Sequence, residues 1–181
     1  MRAKWIPIGV AVLAIGVGLW WVIGAWTYDD LAHGSTSGVG SDAELIGDDL
    51  DGEIAEKPLR PGRTTDYTVT VRNDGGRTVE ITGIGSDEPN LPGLLEQVRV
   101  RRMFNVGVPD VQYKPFAPLK LEPGEEAIYV IDLKMPTCGN LAPNSSLVLD
   151  HFDVRFKAFV FNRRQTLPLV TPIHIRRGDN C

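Results

Sequence analysis

Between Trp5 and Trp26 the chain runs for 22 residues without a charge. At about 1.5 Å per residue, a helix of that length covers the roughly 30 Å hydrocarbon core of a bilayer. Trp5 stands at one end of the run. Trp20, Trp21 and Trp26 cluster at the other, followed by Tyr28. Aromatic rings with a polar edge favour the headgroup boundary, so these residues predict a belt at each membrane interface. Arg2 and Lys4 precede the run, and Asp29 and Asp30 follow it. The positive-inside rule then predicts a cytoplasmic stub at 1–4, a transmembrane helix over 5–28 and an extracytoplasmic remainder, with the lipid bilayer as first partner. A cleavable signal peptide ending near Ile23-Gly24-Ala25 is the competing reading. Against it, the apolar run exceeds the usual core of about 7–15 residues, and bulky Trp20 and Trp21 crowd the cut. Both readings export the rest of the chain.

After the run the composition changes. From Asp29 to Lys57 there are nine acidic residues, and Lys57 is the only basic one. The stretch Gly34–Ser41 is built of Gly, Ser, Thr and one Val, a composition of flexible spacers. An acidic tether over 29–52 is expected, mobile to about Gly47. Asp49-Leu50-Asp51-Gly52-Glu53 fails as a calcium loop, because the sixth and twelfth positions hold Ile54 and Arg60 where glycine and glutamate are needed. The net charge of −4 argues against a nucleic-acid partner, and the acidity resides in the tether.

From residue 53 onward the pattern is that of strands. Tyr67, Val69 and Val71 alternate with polar residues, as do Val79 and Ile81, then Val98 and Val100. Ala127, Tyr129, Ile131 and Leu133 share one parity. Phe152, Val154, Phe156, Ala158 and Val160 share another, and Leu167, Leu169, Ile173 and Ile175 a third. With a first strand near Glu53–Glu56, this predicts an all-β, antiparallel sandwich of about seven strands over 53–181. Arg60-Pro61-Gly62-Arg63 and Glu122-Pro123-Gly124-Glu125 read as type II turns, with proline presetting the first central residue and glycine taking positive φ at the second. Asn73-Asp74-Gly75-Gly76 reads as a tight turn, and Asn162-Arg163-Arg164-Gln165 as the last hairpin.

The run Leu59-x-Pro-Gly, then Tyr67-x-Val69-x-Val71-x-Asn73-x-Gly75, resembles the opening of immunoglobulin-like domains on bacterial surfaces. Leu121-x-Pro-Gly and the strand after it fit their second half. The layout of a short anchor and one such domain resembles single-pass membrane proteins of high-GC Gram-positive bacteria. The resemblance implies an immunoglobulin-like ectodomain and carries no catalytic residues.

No G-x-S-x-G, H-E-x-x-H, S-x-x-K or P-loop occurs, so no enzyme activity is expected. A non-catalytic binding or structural role toward an envelope protein or polymer is the expectation. A secreted or anchored ligand- or metal-binding protein, or an enzyme without a linear motif, is the alternative. His33, His151 and His174 lack metal-ligand spacing, and no metal or other cofactor is expected. Cys138 and Cys181 are the only cysteines. In an exported domain they are expected to pair, closing a loop of about 44 residues that contributes on the order of 4 kcal/mol in the chain-entropy model. Arg99, Arg101 and Arg102 form one basic group, and Arg163, Arg164, Arg176 and Arg177 another. Arginine forks suit phosphate and carboxylate, so a cell-wall polymer or lipid headgroup is a conceivable ligand; a solvated face, or an internal partner for the acidic tether, is the plainer reading. Phe159 and Phe161 break the polar parity begun by Asp153, Arg155 and Lys157. Either the segment Met103–Pro118 covers these rings, or they form an exposed patch beside Arg163 and Arg164 with the composition of an interaction hot spot.

Overall fold

The computed structural model describes residues 6–40, 42–47, 53–85, 95–102 and 113–178, with the backbone alone at 6–11, 95, 96 and 102. One helix leads into strands. In chain order these are α1 (Ile6–Trp26), β1 (Leu31–His33), β2 (Gly38–Val39), β3 (Glu44–Ile46), β4 (Ile54–Pro58), β5 (Thr64–Asn73), β6 (Val79–Gly85), β7 (Leu95–Arg102), β8 (Lys114–Pro115), β9 (Leu119–Leu121), β10 (Glu126–Lys134), β11 (Ser146–Ala158) and β12 (Phe161–Arg176). One sheet has the order β1-β5-β10-β7-β8, with β2 also on β5. The other runs β3-β4-β12-β11-β6-β9. Among the described residues, no helix is long and apolar enough to cross a membrane.

The two sheets pack through the parities read from the sequence. Val69 and Val71 of β5 meet Tyr129 and Ile131 of β10, and Ile81, Phe152, Val154, Phe156 and Ile175 close on them from the other sheet. These side chains are buried because period-two strands put every second residue on the inner face. Both Pro-Gly turns form as expected. Gly62 has φ 72° and Gly124 φ 80°. Arg63 N donates to Arg60 O at 3.0 Å, and Glu125 N donates to Glu122 O at 3.0 Å.

Several expectations change. The described residues hold twelve strands, not about seven, and the sandwich is not wholly antiparallel, because β4 runs parallel to β12. The excess lies partly in the segment read as a flexible tether, which supplies β1, β2 and β3. Its composition gave no alternation to read, since strands of two or three residues have none. What orders it is the neighbouring edge. Ten-residue β5 would otherwise expose a row of unpaired amides and carbonyls. Leu31, Ala32 and His33 pair with Asn73, Arg72 and Val71, and Gly38 and Val39 pair with Thr68 and Tyr67. Gly34 N donates to Thr70 O at 2.8 Å and Gly40 N to Asp66 O at 3.0 Å.

A buried cation holds the next stretch. Lys57 is fully buried, and its Nζ donates to Asp42 Oδ1 at 2.9 Å, to Asp66 O at 3.1 Å and to Thr65 Oγ1. With all three of its protons placed, the ammonium keeps its charge out of water without an orphaned donor. Burial pushes the Asp42 carboxyl up, but the Lys57 ammonium outweighs this and holds it below the usual carboxylate range.

The last hairpin also shifts. Ala158 pairs with Phe161, so the chain turns at Phe159-Val160 rather than at Asn162–Gln165. Phe159 takes φ 56°, the positive value that a two-residue hairpin needs at its first central position. The parity of β11 therefore ends at Ala158 and restarts in β12, with Phe161, Arg163 and Gln165 on the side of buried Leu167.

His33 of β1 turns its ring edge onto Phe152, with centroids 5.6 Å apart. Both ring nitrogens are buried without a well-formed hydrogen bond. Burial pushes its pKa below the ordinary value, against a smaller opposing pull from the Pro168 carbonyl. The unfolded chain therefore takes up this proton first as pH falls. Stability should be unaffected by this group above about pH 6.5 and should decline below it until the folded-state pKa is passed. Denaturant unfolding between pH 7.5 and 5 should show that decline, and His33→Phe should flatten it. An unchanged slope in the variant assigns the proton elsewhere.

Candidate functional site

Among the described residues, the contacts of α1 with the sandwich gather at its C-terminal turns, against the β5–β6 turn at one end of the sandwich. That end carries the β5–β6 turn, the β9–β10 turn and the β11–β12 turn, because Asn73, Val79, Leu121, Glu126, Ala158 and Phe161 all lie at the same ends of paired strands. The helix terminus closes with Thr27, whose N and Oγ1 both donate to Ile23 O. The next residue, Tyr28, dives into the core.

Tyr28 packs edge-on to Phe156, with centroids 5.9 Å apart, and its hydroxyl donates to Asn73 Oδ1. The same Oδ1 accepts from Gly75 N at 3.2 Å. Asn73 Nδ2 donates to Arg77 O at 2.7 Å and to Leu121 O at 3.0 Å. The buried amide thus uses both protons and both lone pairs. Gly75 is required here, because a Cβ would overlap the Tyr28 ring. Burial, reinforced by nearby Asp30, pushes the Tyr28 pKa up to about 12, so the hydroxyl stays a donor at any physiological pH.

Arg77 reaches the other way, onto the helix. Its guanidinium lies 4.3 Å from the Trp21 ring centroid and 5.5 Å from that of Trp20, and Nη1 donates to Trp21 O at 2.7 Å. The contact is a cation–π stack closed by a hydrogen bond to the last turns of the helix. A Cβ at Gly24 would come within 2.8 Å of this guanidinium. Trp20, Trp21, Gly24, Thr27, Tyr28 and Arg77 are among the residues around a groove of about 490 Å³, with Asp29 and Asp30 also on its wall.

The residues singled out in the sequence separate here. Trp20, Trp21 and Trp26 are exposed, whereas Tyr28 is 4% exposed and belongs to the core rather than to an aromatic belt; the chain reverses into the sandwich directly after Trp26. Arg2, Lys4, Trp5 and Cys181 lie outside the described residues. Cys138 opens the short turn Cys138–Asn140 and is not a free thiol. Arg99 makes a two-point ion pair with Asp132 at 2.7 and 3.1 Å, and Arg101 stacks on Tyr113 at 4.9 Å. Arg102 ends β7. Arg164 Nη2 contacts buried Asp153 at 2.5 Å, and Arg163 shares the inward parity. Arg176 and Arg177 reach Glu56 and the Leu141 carbonyl, whereas Arg163 Nε is buried without a partner among the described residues. Phe159 is 67% exposed and Phe161 half-buried. The covering segment proposed for them lies outside the described residues from 103 to 112, and β8, which follows, pairs with β7 in the opposite sheet. Arg77 and Asn73 were not among the sequence candidates, because their partners stand dozens of residues away. Among the described residues, no group of three His, Cys, Asp or Glu could hold a metal ion.

No protein-family model matches the chain. No curated protein matches it either. Similarity to solved structures is distant. The VesB protease of Vibrio cholerae aligns over 75% of this chain and 32% of its own, at 13% identity and TM-score 0.35. The ASH/PapD-like domain 7 of human CEP192 aligns over 76% and 86%, at 14% identity and TM-score 0.30. A family 123 glycoside hydrolase from Clostridium perfringens aligns over 78% and 27%, at 14% identity and TM-score 0.32. The chain spans about a third of the protease and about a quarter of the hydrolase.

Tyr28→Phe keeps the ring on Phe156 but deletes the donor to Asn73. It should lower stability by about 1–2 kcal/mol in equilibrium unfolding, the cost of one lost buried hydrogen bond. Unaltered stability would mean that Asn73 Oδ1 is satisfied without Tyr28.

Proposed function

We propose that the chain is a non-catalytic binding or structural module of the cell envelope, held at a membrane by the whole charge-free run from Trp5 to Trp26, of which the described side chains of α1 are too short a part to cross by themselves, with the β-sandwich on the extracytoplasmic side. One observation carries this reading. The side chains of Val12, Leu13, Ile15, Val17, Leu19, Trp20, Trp21, Val22, Ile23 and Trp26 are all exposed, and the sandwich covers only Ala25 closely. Soluble monomers rarely leave a continuous apolar surface of that extent in water. The charge-free sequence from Trp5, with Arg2 and Lys4 before it, supports the same reading and sets the N-terminus inside. The second partner is then an envelope protein or polymer. Since Arg99 and Arg164 already serve Asp132 and Asp153, recognition by a bare arginine cluster is disfavoured.

On intact cells, a membrane-impermeant label should reach the sandwich while the protein stays in the membrane fraction. A soluble product beginning near Trp26 would replace the anchor with a cleaved signal peptide. The Cys138–Cys181 bridge belongs to the same proposal, since exported thiols in a small domain pair. Non-reducing peptide mapping of the exported protein should recover the two cysteines joined, and Cys138→Ser should lower the melting temperature. Recovery of both as alkylated thiols would refute the bridge.

A further inference from the structure

The hairpin tip Phe159-Val160 stands out on the described surface. Phe159 is 67% exposed and Val160 61% exposed. Phe159 also holds φ 56°, a left-handed conformation that glycine or asparagine adopts at less cost than a bulky aromatic residue. Glycine would make a better turn, and a polar residue would make a better surface. Such an outlier points to a role for the side chain itself.

Its position supplies the role. Ala158, just before the tip, pairs with Val79, and Val79 follows Arg77 by two residues. Arg77 is the residue stacked on Trp20 and Trp21, and α1 also touches β12, the strand that begins at Phe161. The tip therefore lies on the order of 10 Å from the Arg77–Trp21 contact, one strand spacing across and two residues along.

The length of the helix sets where that contact sits, on the reading that α1 spans a bilayer. From Ile6 to Leu19 the helix covers about 21 Å, well short of the roughly 30 Å that must be crossed. The span must then continue through Trp20 and Trp21 to about Gly24. Arg77 binds at those same turns, so the end of the sandwich is drawn down to the bilayer surface rather than held away from it. Arg77 becomes a headgroup-level guanidinium, and the neighbouring turns come to the same level.

We propose that Phe159 and Val160 insert into the headgroup–acyl boundary of that bilayer, forming with α1 a second point of membrane contact that fixes the tilt of the sandwich. The inference rests on the anchor reading above. The other turns at this end carry Asp74, Glu122 and Glu125, and Asp29 and Asp30 lie beside them, so attraction to anionic lipid is not the driving interaction. The tip binds through apolar burial and needs no lipid charge.

The test uses the full-length protein in neutral phosphatidylcholine vesicles, with p-benzoylphenylalanine in place of Phe159. A control probe replaces Arg60 in the turn at the far end of β5. Flotation reads anchoring, and irradiation followed by mass analysis reads contact. The expected result is co-flotation with a phospholipid adduct at 159 and none at 60. Flotation with no lipid adduct at 159 overturns the tip contact and leaves the anchor standing. Absence of flotation overturns the anchor, and the tip contact with it. An adduct to a second copy of the chain makes the tip a protein contact instead. Phe159→Gly is the folding control. It should leave the melting temperature unchanged or raise it, because glycine suits positive φ. A marked drop would make Phe159 a structural support of the hairpin and overturn the proposal.

Discussion

The amide of Asn73 joins what the rest of the fold brings together. It sits fully buried at the end of β5. Its two protons bind the backbone of the β5–β6 turn and the end of β9, and its oxygen binds Gly75 N and the Tyr28 hydroxyl. Its own backbone reaches the β9–β10 turn, accepting from Gly124 N at 2.7 Å and donating to Glu125 O at 3.0 Å. One residue, through its side chain and its backbone together, therefore ties two turns of the sandwich to the residue that leaves the helix. Removing a partner would strand a polar atom away from water, which costs more than one bond is worth in place. That asymmetry gives the junction between α1 and the sandwich a defined geometry.

The second constraint is the open edge of β5 and the buried cation beyond it. A glycine-rich acidic segment has little apolar surface with which to offset its ordering entropy. Here it uses the hydrogen-bonding capacity of an existing strand edge instead, and Asp42 completes the shell of Lys57. Leu31 and Val39 add apolar contact with the core. The segment thereby caps an edge that would otherwise invite pairing with another chain.

Several charges in this molecule are paired with one another. Arg99 with Asp132, Arg164 with Asp153, Arg72 with Asp74 and Lys57 with Asp42 are pairs formed across strands or turns. The longest run of exposed apolar side chains among the described residues is on α1, and others stand at the hairpin tip and at Leu45, Ile46, Val148 and Val170.

Much of the sandwich was legible in linear order. The core parities of β5, β10 and β11 appear as every second residue from Tyr67, Ala127 and Phe152, because a strand maps sequence spacing directly onto a face. The two Pro-Gly turns were legible because their φ values are set by the residues themselves. The charge-free run from Trp5 was legible from composition alone. What the sequence could not reveal depends on partners that are distant along the chain. The tether becomes strands only because β5 and β4 offer unpaired edges, and the parallel pairing of β4 with β12 joins segments far apart along the chain. Tyr28 looked like an interfacial aromatic residue until the chain reversal after Trp26 placed it on Phe156 and Asn73. Phe159 looked like a strand residue until the register of Ala158 with Phe161 made it the turn. The site at the helix junction has no motif, because Arg77 and Trp21 are 56 positions apart and only the folded backbone sets one upon the other.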